Sequence, residues 1–243
     1  MDKVSKNDSG HRILRLLLIG LIICILAGIH RKYPPHFVQF YVVDILQLTD
    51  ILAMILFAPL CVLVLWKVFL LYDGICSGFA MACFILGVFA LGIGFGMHDT
   101  FNSMQRFYGA SLDALPDACR SVKFFDNKLG HWSFFAGFGM ITLAVTFSET
   151  RNPLPVPISN RSFVCLLIAS SAVAVLICKN MMNEASSTAA DIFTLLAVSA
   201  ITAVFHLNKG AVPLKKLPVA TIIYVAYGGG AVMSVLFKLA VHR

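Results

Sequence analysis

The chain has 243 residues, of which 59% are hydrophobic and only 13% charged, with a formal net charge of +7. Soluble domains carry about 25% charged residues, so this composition excludes a soluble domain of any size. It reads instead as one integral membrane domain over residues 1–243, and a mean hydropathy of +0.86 agrees. The Lys and Arg residues fall mostly in short loops and at the ends of apolar runs, where they meet lipid headgroups. Membrane lipids are therefore the expected partners and nucleic acid is not; homo- and hetero-oligomers both stay open.

A helical span needs about 20 mainly apolar residues. Seven runs meet that need, at about 13–29, 45–71, 75–98, 130–148, 162–178, 189–206 and 218–240. Alternating barrel patterning is absent, so the expected fold class is all-α, a polytopic transmembrane bundle of about seven spans. The first run follows Lys3, Lys6, Arg12 and Arg15, as a signal peptide would. His30-Arg31-Lys32 comes next in place of a small-residue cleavage site, which predicts a retained first helix.

The second run carries Asp50 near its start and Pro59 inside it, and Pro59 is expected to kink the helix. Residues 33–44, ahead of that run, are expected to lie along the membrane interface. In the third run Gly92 and Gly96 stand four apart on one face and predict a close helix contact, with Gly137 as a counterpart on the fourth. Residues 99–129 read as the one long connection, of a length more often functional than bare. Gly228-Gly229-Gly230 lies inside the seventh run, so it suggests a flexible or tightly packed middle and not a phosphate loop.

Six of the seven Cys residues lie in or beside apolar runs, with no CxxC pair; they read as small buried hydrophobes. Cys119 falls in the expected loop and has no partner there, so no disulfide framework follows.

Seven spans place the two termini on opposite sides. Lys and Arg divide almost evenly between those sides, and the basic residues before the first run decide for a cytoplasmic N-terminus and an outside C-terminus. The expected location is the plasma (inner) membrane.

Two polar stretches interrupt the apolar pattern. Gly96-Met97-His98-Asp99-Thr100-Phe101-Asn102 ends the third run, and Phe125-Asp126-Asn127-Lys128-Leu129-Gly130-His131-Trp132 opens the fourth. One span ends where the next begins, so both stretches lie on one side of the membrane. Ionisable groups at such places are costly and usually functional. At helical spacing His98 shares a face with Asn102, and Asn127 shares one with His131. Asp126 is expected just before the fourth helix or in its first turn. Asp191 opens the sixth run on the same side, so His98, Asp99, Asp126, His131 and Asp191 converge if the third, fourth and sixth spans are neighbours. Glu184 and His36 lie on that side as well.

His131, Phe135, Phe138, Thr142 and Glu149 form one stripe. Glu149 is about 27 Å from His131 along the axis at 1.5 Å per residue, so it reads as an interfacial residue paired with Arg151. His206 ends the sixth run at the opposite face, far from the cluster, with no histidine at its depth to complete a haem ligand pair.

Three readings of the cluster compete. Imidazole and carboxylate suit a divalent metal such as Zn²⁺, with His98, Asp99, Asp126, His131 and Asp191 as ligands. A metal-held water would then attack a lipid ester, amide or phosphate, making the protein a membrane-embedded hydrolase. Alternatively the groups relay protons in a non-enzymatic transporter or accessory protein. In the third reading they are interhelical hydrogen bonds and nothing more. Ser103, Ser133 and Thr100 are near in sequence, and none sits in a nucleophile motif.

The stretch from Asp126 through Lys128, Gly130, His131 and Trp132 to Phe138, with His98 before it and Glu149 after it, resembles the VanZ-like and YjdF-type bacterial membrane proteins. Trp132 stands where Phe is usual there, and Asn127 intervenes between Asp126 and Lys128. The resemblance implies an integral membrane protein of unassigned activity. A second likeness, of architecture alone, is to the seven-helix lipid hydrolases of the alkaline ceramidase and adiponectin-receptor type. The late His-x-x-x-His of that group is missing here.

Overall fold

The computed structural model describes residues 6–32, 51–113, 116–183, 188–210 and 212–241. Among the described residues seven helical segments are long and apolar enough to cross a membrane: Ser9–Ile29, Ala53–Leu71, Gly78–Gln105, Pro116–Arg151, Asn160–Met182, Asp191–Asn208 and Pro218–Ala240. The protein is an all-α, multi-pass membrane protein, and no strand occurs among the described residues. The interfacial course expected for 33–44, and the start of the second run at 45–50, lie outside the described residues.

In chain order the helices are α1 (Lys6–Lys32), α2 (Ala58–Leu71), α3 (Gly78–Asp113), α4 (Pro116–Phe124), α5 (His131–Arg151), α6 (Asn160–Asn183), α7 (Thr188–Asn208), α8 (Pro218–Ile222) and α9 (Gly229–Val241). Three π-helical turns join or extend them. Ala53–Phe57 precedes α2, Phe125–Gly130 leads into α5, and Ile223–Gly228 joins α8 to α9. The first stands just ahead of Pro59, where a kink was expected. Pro59 has no N–H to give to the preceding turn, and the wider π turn just before it takes up the mismatch.

The long loop expected over 99–129 is not a loop. Helix α3 runs without a break to Asp113, then α4 and the π turn carry the chain back to α5. Residues 99–108 contain neither Gly nor Pro to stop the helix, and the return helix starts on Pro116, which suits a first helical position. Cys119 accordingly sits buried on α4.

Packing places two segments at the centre. Half of the most apolar window is buried in the span ending with α5 and in the last span, against 17–28% in the other five. Helix α5 packs most extensively on α3, and also on α7 and α2; α6 packs on α9 and on α1. Outer faces carry exposed Ile22, Ile55, Phe79, Phe89, Ile168, Phe193 and Leu236, as lipid-facing helices should.

The α3–α5 contact is made backbone to backbone. A methyl group on Gly137 would strike the Leu91 nitrogen and lie 2.7 Å from the Gly87 carbonyl oxygen; one on Gly94 would strike the Phe134 nitrogen. The glycines that matter are thus Gly87, Gly94 and Gly137. Gly92 and Gly96, expected at this contact, meet nothing within 4 Å. A four-residue spacing identifies a face but not which neighbour it meets. Gly230 is tightly packed, since a methyl there would lie 3.0 Å from Ile177 Cγ2 and 3.2 Å from the Ala174 carbonyl oxygen.

Candidate functional site

The site at the rim follows from the same seam. A methyl group on Gly130 would lie 3.0 Å from the His98 nitrogen and 2.9 Å from the Phe125 carbonyl oxygen. Glycine there lets the start of α5 touch the α3 backbone at His98. The imidazoles of His98 and His131 consequently meet edge to face, with ring centroids 4.5 Å apart and planes at 83°.

Each imidazole also faces a carboxylate from another turn or helix. His98 Nδ1–H donates to Asp126 Oδ1 at 2.6 Å, and Gln105 Nε2–H donates to Asp126 Oδ2 at 2.9 Å. His131 Nδ1 lies 3.4 Å from Asp191 Oδ2, a longer contact between α5 and α7. The result is a chain of four groups, Asp126–His98–His131–Asp191, drawn from the π turn, α3, α5 and α7. Asp126, His131 and Asp191 are buried, and the His98 side chain keeps 19% of its surface accessible. Asp191 Oδ1 is buried with no hydrogen-bond partner among the described residues. A buried carboxylate oxygen left in that state is costly.

The fourth span packs on both the third and the sixth, and through it four of the five predicted residues join one chain. Asp99 is fully buried on α3, next in sequence to His98. Asp126 lies in the first turn of the π-helical lead-in to α5, close to its expected place. The side chains of Asn102 and Asn127 lie outside the described residues, as do His36 and Glu184. The expected metal centre finds no support in this arrangement. Among the described residues no group of three or more His, Cys, Asp and Glu side chains is placed to hold an ion. Asp126 Oδ1 meets His98 Nδ1, and Asp191 Oδ2 faces His131 Nδ1.

Below the rim lies a feature that the sequence did not announce, a half-open cavity of about 620 Å³ lined by residues of α1, α2, α3, α5, α6, α7 and the last span. Its walls are mainly apolar, with Phe134, Phe135, Phe138 and Tyr227 among the aromatic ones, and Lys179 and Asn180 line it toward the rim. Phe135 stands one turn after His131, their ring centroids 6.3 Å apart. Thr194, also in the wall, stands one turn after Asp191. The cavity thus rises to within one helical turn of the His131–Asp191 pair.

Glu149 corrects another expectation. It is fully buried at the far end of α5 and does not pair with Arg151. Its carboxylate accepts the Val219 N–H at 2.7 Å, the Ala220 N–H at 2.8 Å and the Tyr72 hydroxyl at 2.9 Å. Arg151 lies over the Phe147 ring instead, 5.6 Å from its centroid. Helix α8 starts after Leu217, which offers no capping side chain, so a carboxylate from another helix takes the exposed N–H groups. Burial, and then the charge of Glu149, push the Tyr72 hydroxyl well above its ordinary value, so it stays a donor. The sequence signal was the uncapped Leu217-Pro218 start, which asks for an anion from elsewhere.

His206 has a structural role at that same face. Its Nε2–H donates to the Val212 carbonyl at 2.6 Å, and Nδ1 faces the Tyr224 hydroxyl at 3.4 Å.

No family model, curated protein or solved structure matches the chain.

Proposed function

We propose that this membrane protein takes an amphiphilic molecule from the bilayer, holds its apolar part in the central cavity, and exchanges protons with its polar end through the Asp126–His98–His131–Asp191 chain. One observation carries the reading: an apolar cavity of about 620 Å³ ends one turn from a buried imidazole–carboxylate pair. Ligand pockets of about 300–1,000 Å³ with apolar walls and a few polar groups are the usual form of a small-molecule site. Imidazole is the side chain best suited to gaining and losing a proton near neutral pH. The pairing supports a relay over the metal-dependent hydrolase, which needs a converging ligand set. In this reading the rim faces outside, the N-terminus is cytoplasmic, and the membrane is the plasma (inner) membrane.

The test is native mass spectrometry of the detergent-purified protein, with a photoreactive fatty acid as the probe. The wild-type chain is expected to carry one bound amphiphile and to be labelled within Phe134–Phe138. Ala27→Phe, placed in the cavity wall, should lose both signals while melting at a similar temperature. Labelling confined to the outer faces, unchanged in Ala27→Phe, would overturn the reading.

A further inference from the structure

Two thiols meet in the wall of the cavity. Cys24 comes from α1 and Cys61 from α2, and their sulfurs are 3.8 Å apart. Both side chains are part-buried and both line the cavity. Cys24 lies two turns, about 12 Å, inside the end of α1 at Lys32, and Cys61 lies near the middle of its span. A water-soluble thiol or disulfide therefore does not reach the pair easily. An oxidant that does must be apolar and must arrive through the bilayer or the cavity.

A disulfide needs the sulfurs about 2.05 Å apart. From 3.8 Å the two sulfurs must therefore close by about 1.8 Å. The cavity walls beside the thiols are rich in flat surfaces, with Phe57, Phe134, Phe138 and Tyr227 among them. Such walls suit a planar ring, and the mainly apolar lining of the rest suits an isoprenoid tail.

We infer that Cys24 and Cys61 form a redox-active dithiol whose oxidant is a membrane quinone bound in the cavity. The inference rests on the amphiphile-binding reading above and names its ligand class. The step balances as two thiols plus quinone giving one disulfide plus quinol. One sulfur adds to a ring carbon, and the second sulfur attacks the first. The S–S bond forms as the C–S bond breaks, and that electron pair passes to the ring. The two thiol protons end on the two ring oxygens. The dithiol is oxidised by two electrons and the quinone is reduced by two. In the oxidised state α1 and α2 are covalently tied across the cavity wall.

The experiment uses the full chain, reduced and freed of reductant in nanodiscs, under anaerobic conditions so that oxygen does not compete. Decylubiquinone is the probe. Three quantities are read: bound quinone by native mass spectrometry, quinol formed by ultraviolet absorbance, and the Cys24–Cys61 link by differential alkylation and peptide mapping. Wild type is expected to give roughly one quinol and one linked peptide per chain, the stoichiometry of a two-electron couple. Cys24→Ser and Cys61→Ser should each reduce both products to background and still bind the probe. Cys83→Ser, which leaves the pair intact, should behave as wild type. Quinone bound with both thiols still reduced would overturn the dithiol chemistry and leave the cavity reading standing. A cavity that takes the photoreactive fatty acid and refuses the quinone would overturn the ligand class. A cavity that takes neither would overturn both readings.

Discussion

The two ends of the bundle handle buried carboxylates in opposite ways. At the N-terminal end Glu149 is enclosed by two backbone N–H groups and a phenol, all aimed at its two oxygens. At the other end Asp191 faces one imidazole at 3.4 Å and keeps its second oxygen without a hydrogen-bond partner among the described residues. A satisfied carboxylate at a helix start is an anchor. A buried carboxylate with one oxygen unmet is held at a cost. In the function proposed above, one end holds the bundle together and the other end works.

The contrast is open to direct attack, and the largest effect belongs to the anchored end. Glu149→Ala strands the Val219 and Ala220 N–H groups and the Tyr72 hydroxyl, and should destabilise by about 3–5 kcal/mol, read as a large fall in melting temperature in micelles. Gly130→Ala comes next. Its methyl group would press on the His98 backbone and the Phe125 carbonyl, at about 1–3 kcal/mol. It should also part the two imidazoles, which a histidine NMR spectrum of the labelled protein would report as lost ring-current coupling.

Tyr72→Phe removes one hydroxyl donor to a carboxylate and should cost about 1.5–3 kcal/mol. The sign of its pH dependence is fixed by the upward shift of this phenol. The folded state holds the proton more tightly than the unfolded one, so the contribution is complete below about pH 10, where an unfolded tyrosine titrates, and falls above it. Melting curves of wild type and Tyr72→Phe should therefore converge only in strong alkali. The smallest stability change is expected at the working end. Asp191→Asn puts a neutral side chain of the same shape where one carboxylate oxygen is unmet, and should alter stability by about 1 kcal/mol, but should flatten the pH dependence of amphiphile binding measured between pH 5 and 8. A melting temperature that falls as far for Asp191→Asn as for Glu149→Ala would dissolve the distinction between the ends.

Much of this architecture was legible in the residues. The spans follow from the lengths of the apolar runs, because a bilayer sets a minimum that chance polar sequence does not meet. That His98, Asp126, His131 and Asp191 share one side was legible from parity, since consecutive spans alternate sides; that they meet depends on which spans are neighbours, which parity does not give. What escaped depends on which faces meet. Gly92 and Gly96 have the right spacing and the wrong neighbour, whereas Gly87 and Gly94 are seven apart and carry the contact. Glu149 finds its donors 70 and 71 residues away, a pairing that no local pattern encodes. The cavity and the Cys24–Cys61 contact arise between helices, so neither leaves a mark on any one of them.

The π turn Phe125–Gly130 carries a genetic consequence. A π-helical turn is an α-helix with one residue to spare, so an in-frame loss of one codon within it is tolerable to the backbone. Such a deletion would close the turn into a regular helix, and the side chains within it, Asp126 among them, would turn by up to about 100°, the angle of one residue in such a helix. His131 would keep its place in α5 and Asp126 would swing away from His98. The chain would still insert, fold and carry its seven spans, yet the four-membered chain at the rim would be cut at one link. Variation in the length of this turn among natural versions of the protein would thus separate those that keep the rim chemistry from those that keep only the scaffold.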